Sequence, residues 1–167
     1  VVQDNIPSMN AYSVAITLWS LGTLRLNTRS HDMVTICDLL VEQLNSRKKD
    51  LGTQAVVLSL VGLARLDVRW KHERDGRDFL GGIACNMDKM DAKQVAQSLW
   101  ALGKIDVKWH MLSERTRRAI KRAIKRTSYR MIPMGVANSI HGLSNMRVKW
   151  PQDLSEDVRD RLQKDLR

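Results

Sequence analysis

Apolar positions in this chain recur at helical spacing, and the recurrence itself repeats. Four stretches align, running from Val14 to Leu24, Val56 to Leu66, Val95 to Ile105 and Val136 to Met146. Three continue into matching tails: Asp67-Val68-Arg69-Trp70, Asp106-Val107-Lys108-Trp109 and Arg147-Val148-Lys149-Trp150. The copies are offset by 42, 39 and 41 residues, a period of about forty that places a repeat architecture ahead of any local reading. Each unit reads as two helices. In the third, Val95, Leu99 and Leu102 mark the buried stripe of the first helix.

Two columns stay small throughout: Ser20/Gly62/Ala101/Gly142 and Gly22/Ala64/Gly103/Ser144. Positions two apart lie about 200° around a helix, so these columns face nearly opposite ways and predict a first helix sandwiched closely between neighbours. The second helices carry the stripes Met33, Ile36, Cys37, Leu40 and Leu44, then Leu80, Ile83, Ala84 and Met87, the latter weakened by Gly81 and Gly82. The last stripe is Leu154, Val158, Leu162 and Leu166, with Pro151 expected near the helix start, where a missing N–H does no harm. With no strand signal, the expected fold is all-α: an α-solenoid of about four two-helix repeats, approximately 9–50, 51–89, 90–130 and 131–167, within one domain spanning 1–167.

Composition narrows the picture. The chain has 167 residues and carries 28 Lys plus Arg against 18 Asp plus Glu, a formal charge of +10. A hydrophobic fraction of 43% is too high for a disordered basic tail, and three prolines with nine glycines argue against a turn-rich β protein. The apolar run from Ala55 to Ala64 covers about half of a membrane span, so no membrane insertion is expected. Cys37 and Cys85 each stand without a second cysteine nearby, the pattern of a reducing compartment. Because the chain opens on Val1, it reads as a processed or trimmed product whose targeting segment lies out of view.

The charge is local. Between Lys104 and Arg130 stand ten basic residues against Asp106 and Glu114. On a helical wheel Leu112, Ala119, Ile120, Ala123 and Ile124 take one side; Arg115, Arg117, Arg118, Lys121, Arg122 and Lys125 take the other, with Arg126 at the border. Ordinary solvated faces alternate signs to gain i,i+4 pairs, and this run has no acid after Glu114. It predicts a polyanionic partner, RNA phosphate before an acidic protein, with Lys104, Lys108 and Arg130 extending the patch. The final helix mixes signs instead, setting Asp153, Glu156, Asp157, Asp160 and Asp165 against Arg159, Arg161, Lys164 and Arg167.

Ser98-Leu99-Trp100-Ala101-Leu102-Gly103-Lys104-Ile105 and Thr17-Leu18-Trp19-Ser20-Leu21-Gly22 resemble the core of octotricopeptide repeats, and of the related repeats found beside RAP domains and in FAST-kinase-like proteins. Val61 and His141 replace the central Trp in two copies, and no RAP-like module follows Trp150. The resemblance implies RNA binding inside mitochondria or chloroplasts. Four units reading one base each would specify a site recurring about every 256 positions of random sequence, too little for a free-standing selector. The expectation is therefore a structural, rRNA-contacting subunit of a mitochondrial ribosome in the matrix, held among neighbouring proteins of the assembly, with a plastid stromal location as the alternative. A protein-interaction scaffold and a transcript maturation or translation factor are the competing readings.

Gln97 and Asn138 are candidate base contacts, although Ile16 and Leu58 fill that column elsewhere. The hydroxyl column Thr17/Ser59/Ser98/Ser139 is expected to bond back to the preceding helical turn. Trp19 and Trp100 read as packing residues, and Trp70, Trp109 and Trp150 as staples of the inter-helix connection. His31, His72, His110 and His141 lie roughly forty residues apart with no cysteine at ligand spacing, so neither metal nor cofactor is expected. Asp88 and Asp91 read as helix caps. No catalytic motif occurs; neither an enzyme activity nor a small-molecule substrate is expected.

Overall fold

The computed structural model describes residues 5–24, 30–47, 49–69, 77–150 and 152–164. Trp70, His72, Pro151, Asp165, Leu166 and Arg167 lie outside the described residues, as do the side chains of Asp157, Arg161 and Lys164. Among the described residues there are eight α-helices and no strands: α1 Ala11–Thr23, α2 His31–Ser46, α3 Thr53–Arg65, α4 Arg77–Met87, α5 Ala92–Lys104, α6 Glu114–Thr127, α7 Pro133–Asn145 and α8 Glu156–Lys164. No helix described is long and apolar enough to cross a membrane.

Local chemistry sets the helix boundaries. The side chains of Asn10, Ser30 and Ser113 each accept a first-turn backbone N–H, and Asp91 forms a reciprocal capping box with Gln94. Three helices end alike. Asp67, Asp106 and Arg147 adopt left-handed backbone conformations with φ of 55°, 69° and 58°. Each following valine then returns its N–H to a carbonyl five residues back: Val68 to Leu63 at 3.2 Å, and Val107 to Leu102 and Val148 to Leu143 at 3.1 Å. This is a Schellman stop made without glycine. The repeated tails are thus helix terminators that turn the chain toward its next element.

Packing proceeds in pairs. The first helix of each unit packs on that of the next, α1 on α3, α3 on α5 and α5 on α7, while α4 packs on α6. Val14, Val56, Val95 and Val136 are all fully buried at the same repeat position. The small columns explain the closest approaches. A Cβ on Gly62 would lie 2.5 Å from the carbonyl carbon of Leu18, and one on Gly142 would lie 2.2 Å from the carbonyl oxygen of Leu99. Gly22 and Gly103 present bare backbone from the opposite side, against Gly62 and Gly142 respectively. By repeat register the α3–α5 contact carries Ala64 and Ala101 instead, both buried. Glycine thus serves the first and third contacts and alanine the second.

The hydroxyl column behaves as expected at two of its four positions. Thr17 donates to the Ser13 carbonyl at 2.9 Å and Ser139 to the Gly135 carbonyl at 2.8 Å. Ser98 instead meets the sulfur of Met90, and Ser139 that of Met131, both at 3.5 Å and eight residues upstream. Ser59 has Leu51 at that upstream position, and its buried hydroxyl finds no partner.

Candidate nucleic-acid interface

Helix α6 carries the basic run. Ser113 caps its start, and Thr116, Ala119, Ile120, Ala123, Ile124 and Thr127 are buried along one side. Leu112 just before it is buried too, so packing fixes which way the cations point. Arg115, Arg118, Arg122, Lys125 and Arg126 are exposed, and Arg117 and Lys121 are half-buried.

The face is not without counter-charge. Glu114 pairs with Arg118 at 2.9 Å and Arg117 at 3.2 Å. Asp88 receives two bonds from Arg122, Nε to Oδ1 at 3.2 Å and Nη2 to Oδ2 at 2.7 Å. This corrects two expectations: Asp88 is an ion-pair partner rather than a cap, and the run does meet an acid beyond Glu114, supplied by the preceding unit. Asp91 does cap α5. The bond from Arg122 holds the Asp88 carboxyl below its ordinary range, and Arg118 does the same to Glu114. The helix carries seven cations, and Glu114 and Asp88 pair with three of them, Arg117, Arg118 and Arg122.

Other basic residues divide by role. Arg126 donates to the carbonyls of Met87 at 3.2 Å and Met90 at 2.6 Å, closing the C-terminal end of α4. Lys108 turns into the chain, bonding the Asp106 carboxylate and, at 3.2 Å, the Asn145 carbonyl; its bond to Asp106 holds that carboxyl below the ordinary range. Lys104 pairs with Asp67 at 3.1 Å. Lys121 lies 6.0 Å from the ring centroid of Trp109, which is buried and whose backbone N–H reaches the Met146 carbonyl at 2.8 Å. Trp109 is thus buried at the connection of the third unit, and its main chain ties that connection to the end of α7 in the fourth. Trp100 is half-buried against the core, but Trp19 is 38% exposed beneath the Arg65 guanidinium, at 5.9 Å, rather than packed away.

Gln97 and Asn138, forty-one residues apart in sequence, come together. Both line a cleft of about 320 Å³ between the N-terminal halves of α5 and α7, with Arg130 and Lys93 at its margin and Ala96, Met131 and Met134 as apolar wall. Arg130 stacks 5.1 Å from the exposed Tyr129 ring. Sequence reasoning missed Lys93. Its repeat column, Tyr12/Gln54/Lys93/Met134, holds no common chemistry, although it lies one turn before the column of Gln97. No group of three or more His, Cys, Asp or Glu that could hold a metal occurs among the described residues.

Comparison with protein families and with curated proteins gave no match to this chain.

Proposed function

We propose that the chain is an RNA-contacting α-solenoid of four octotricopeptide-like units, serving as a structural subunit along rRNA in an organellar, most simply mitochondrial, ribosome. The carrying observation is the outward face of α6, where Arg115, Arg118, Arg122 and Lys125 are exposed beside the half-buried Arg117 and Lys121 and ion pairs run to Glu114 and Asp88, on a helix whose other side is packed away. A solvated face gains nothing from that excess, whereas a phosphate backbone does, through counterion release. The cleft of Gln97 and Asn138 adds amide donors and acceptors beside Arg130 and Lys93, suited to one unstacked base. The repeat period, the paired helices and the family resemblance support the same reading.

Replacing Arg115, Arg118, Arg122 and Lys125 together by Gln tests it. Helicity by circular dichroism is expected to hold, while single-stranded RNA binding in low salt is lost. Unchanged binding would overturn the proposal. Sedimentation from organelle lysate, with and without ribonuclease, locates the assembly: co-migration with a ribosomal particle is expected.

One observation favours a protein partner instead. Tyr12, Ile16 and Trp19 stand on one face of α1 at i, i+4 and i+7, 53%, 39% and 38% exposed. A light, ribonuclease-resistant complex that dissolves on Ile16→Asp would favour the scaffold reading.

A further inference from the structure

A second hollow, of about 370 Å³, lies between α4 and α6 where the turn after α2 meets them. Lys49, Lys89 and Arg115 line it, drawn from three units of the repeat, and no carboxylate stands among its described lining residues. All three cations are exposed. Arg115 donates to the Cys85 sulfur at 3.3 Å, a weak acceptor that leaves most of the guanidinium's donors for something stronger. Asn86 braces the wall from beneath: its amide nitrogen bonds the Leu51 and Gly82 carbonyls, each at 2.9 Å, and its oxygen accepts from Thr53 at 3.2 Å.

Gly81 lies in the wall of this hollow, inside a helix, where glycine is less stable than alanine. At Gly62 and Gly142 packing demands glycine; at Gly81 it does not, because among the described residues a Cβ there would meet nothing within 4 Å. A bare stretch of helix that the fold does not require is what a closely approaching ligand requires. The charged side chains among the described lining residues are all cations, which suits an anionic ligand compact enough to reach backbone between two helices.

We propose that this hollow seats one phosphodiester of the bound RNA, with its anionic oxygens on Lys49, Lys89 and Arg115 and its approach opened by the missing side chain of Gly81. The seat rests on the RNA reading of α6 and extends it: Arg115 belongs to both surfaces, so the backbone path would run from Arg122 and Arg118 along α6 and cross onto α4. A phosphodiester is favoured over an acidic peptide because the hollow is continuous, through Arg115, with the cationic face of α6 already read as following an RNA backbone.

The test uses the full chain, a short single-stranded oligoribonucleotide and polyglutamate as the protein-like polyanion. Gly81→Ala is expected to raise Tm yet weaken RNA binding several-fold. The double substitution Lys49→Gln with Lys89→Gln is expected to lower the slope of log K against log salt by up to about 0.7, the counterion release of the one seated phosphate. RNA should also slow alkylation of the exposed Cys85, while buried Cys37 serves as an internal unreactive control. A fall in Tm on Gly81→Ala would make the glycine structural and overturn the seat. Wild-type RNA affinity in both variants, with binding still lost in the fourfold Gln variant of α6, removes the seat and leaves the α6 interface standing. Unchanged RNA binding in every variant removes both. Tighter binding of polyglutamate than RNA, lost on Gly81→Ala, replaces the phosphate by an acidic protein.

Discussion

Replacing Asp88 by Asn is expected to tighten RNA binding. The carboxylate occupies Arg122 through two hydrogen bonds, with side chains 49% and 60% exposed, so a phosphate can compete for the guanidinium but must first displace it. Freeing Arg122 for one more phosphate steepens the salt slope by about 0.7, which amounts to about 2.6-fold in affinity on a fourfold dilution of salt. Removing the negative charge also lifts a direct repulsion. A carboxylate roughly 7 Å from a phosphate costs about 0.6 kcal/mol in water, near threefold, before screening. Together they predict binding about threefold to fivefold tighter at 50 mM salt, and a smaller gain at 200 mM. Fluorescence anisotropy with a labelled oligoribonucleotide across a salt series measures both quantities. Equal or weaker affinity with an unchanged slope would refute the reasoning, because it would mean that no phosphate comes near Arg122.

Gly142→Ala is expected to destabilise by about 1–3 kcal/mol, since its Cβ would sit 2.2 Å from the Leu99 carbonyl oxygen, and chemical denaturation reads the loss directly. Ser59→Ala removes a buried hydroxyl that has no partner and should be neutral or stabilising by up to about 1 kcal/mol, whereas Ser139→Ala, which breaks a 2.8 Å bond, should destabilise. Burial, helped by neighbouring Asp38, pushes the Cys37 thiol up to about 11 from its ordinary 9.0. The unfolded chain therefore gives up this proton first, so stability present below pH 9 should decline as pH rises toward 11, by on the order of 2 kcal/mol. Cys37→Ala should abolish that part of the slope in pH-dependent denaturation. Asp88 and Asp106 have the opposite sign: with carboxyls held low by Arg122 and Lys108, they contribute stability above the ordinary carboxylate range and lose it as pH falls through their lowered values. Acid titration of Asp88→Asn should therefore show a shallower loss than the parent chain.

What could be read from the chain alone was whatever depends on period. A spacing of about forty residues, stripes at helical intervals and small residues two apart dictated paired helices with close contacts, because those patterns constrain each helix through its own geometry. The buried side of α6 was likewise legible, since amphipathic spacing is a property of one helix. Other features depended on neighbours. The Asp-Val and Arg-Val tails end helices through a left-handed residue normally supplied by glycine, so their repetition was visible but not their role. Tertiary packing alone brought Asp88 to Arg122, thirty-four residues away, sent Arg126 to the end of α4 and turned Lys108 inward. It also gathered Gln97, Asn138 and Arg130 around one cleft, and Lys49, Lys89 and Arg115 around another. A linear pattern determines which face of a helix is buried; which charges then meet across that surface depends on how the helices are stacked, because Coulombic and hydrogen-bonding partners are chosen by distance in space and not along the chain.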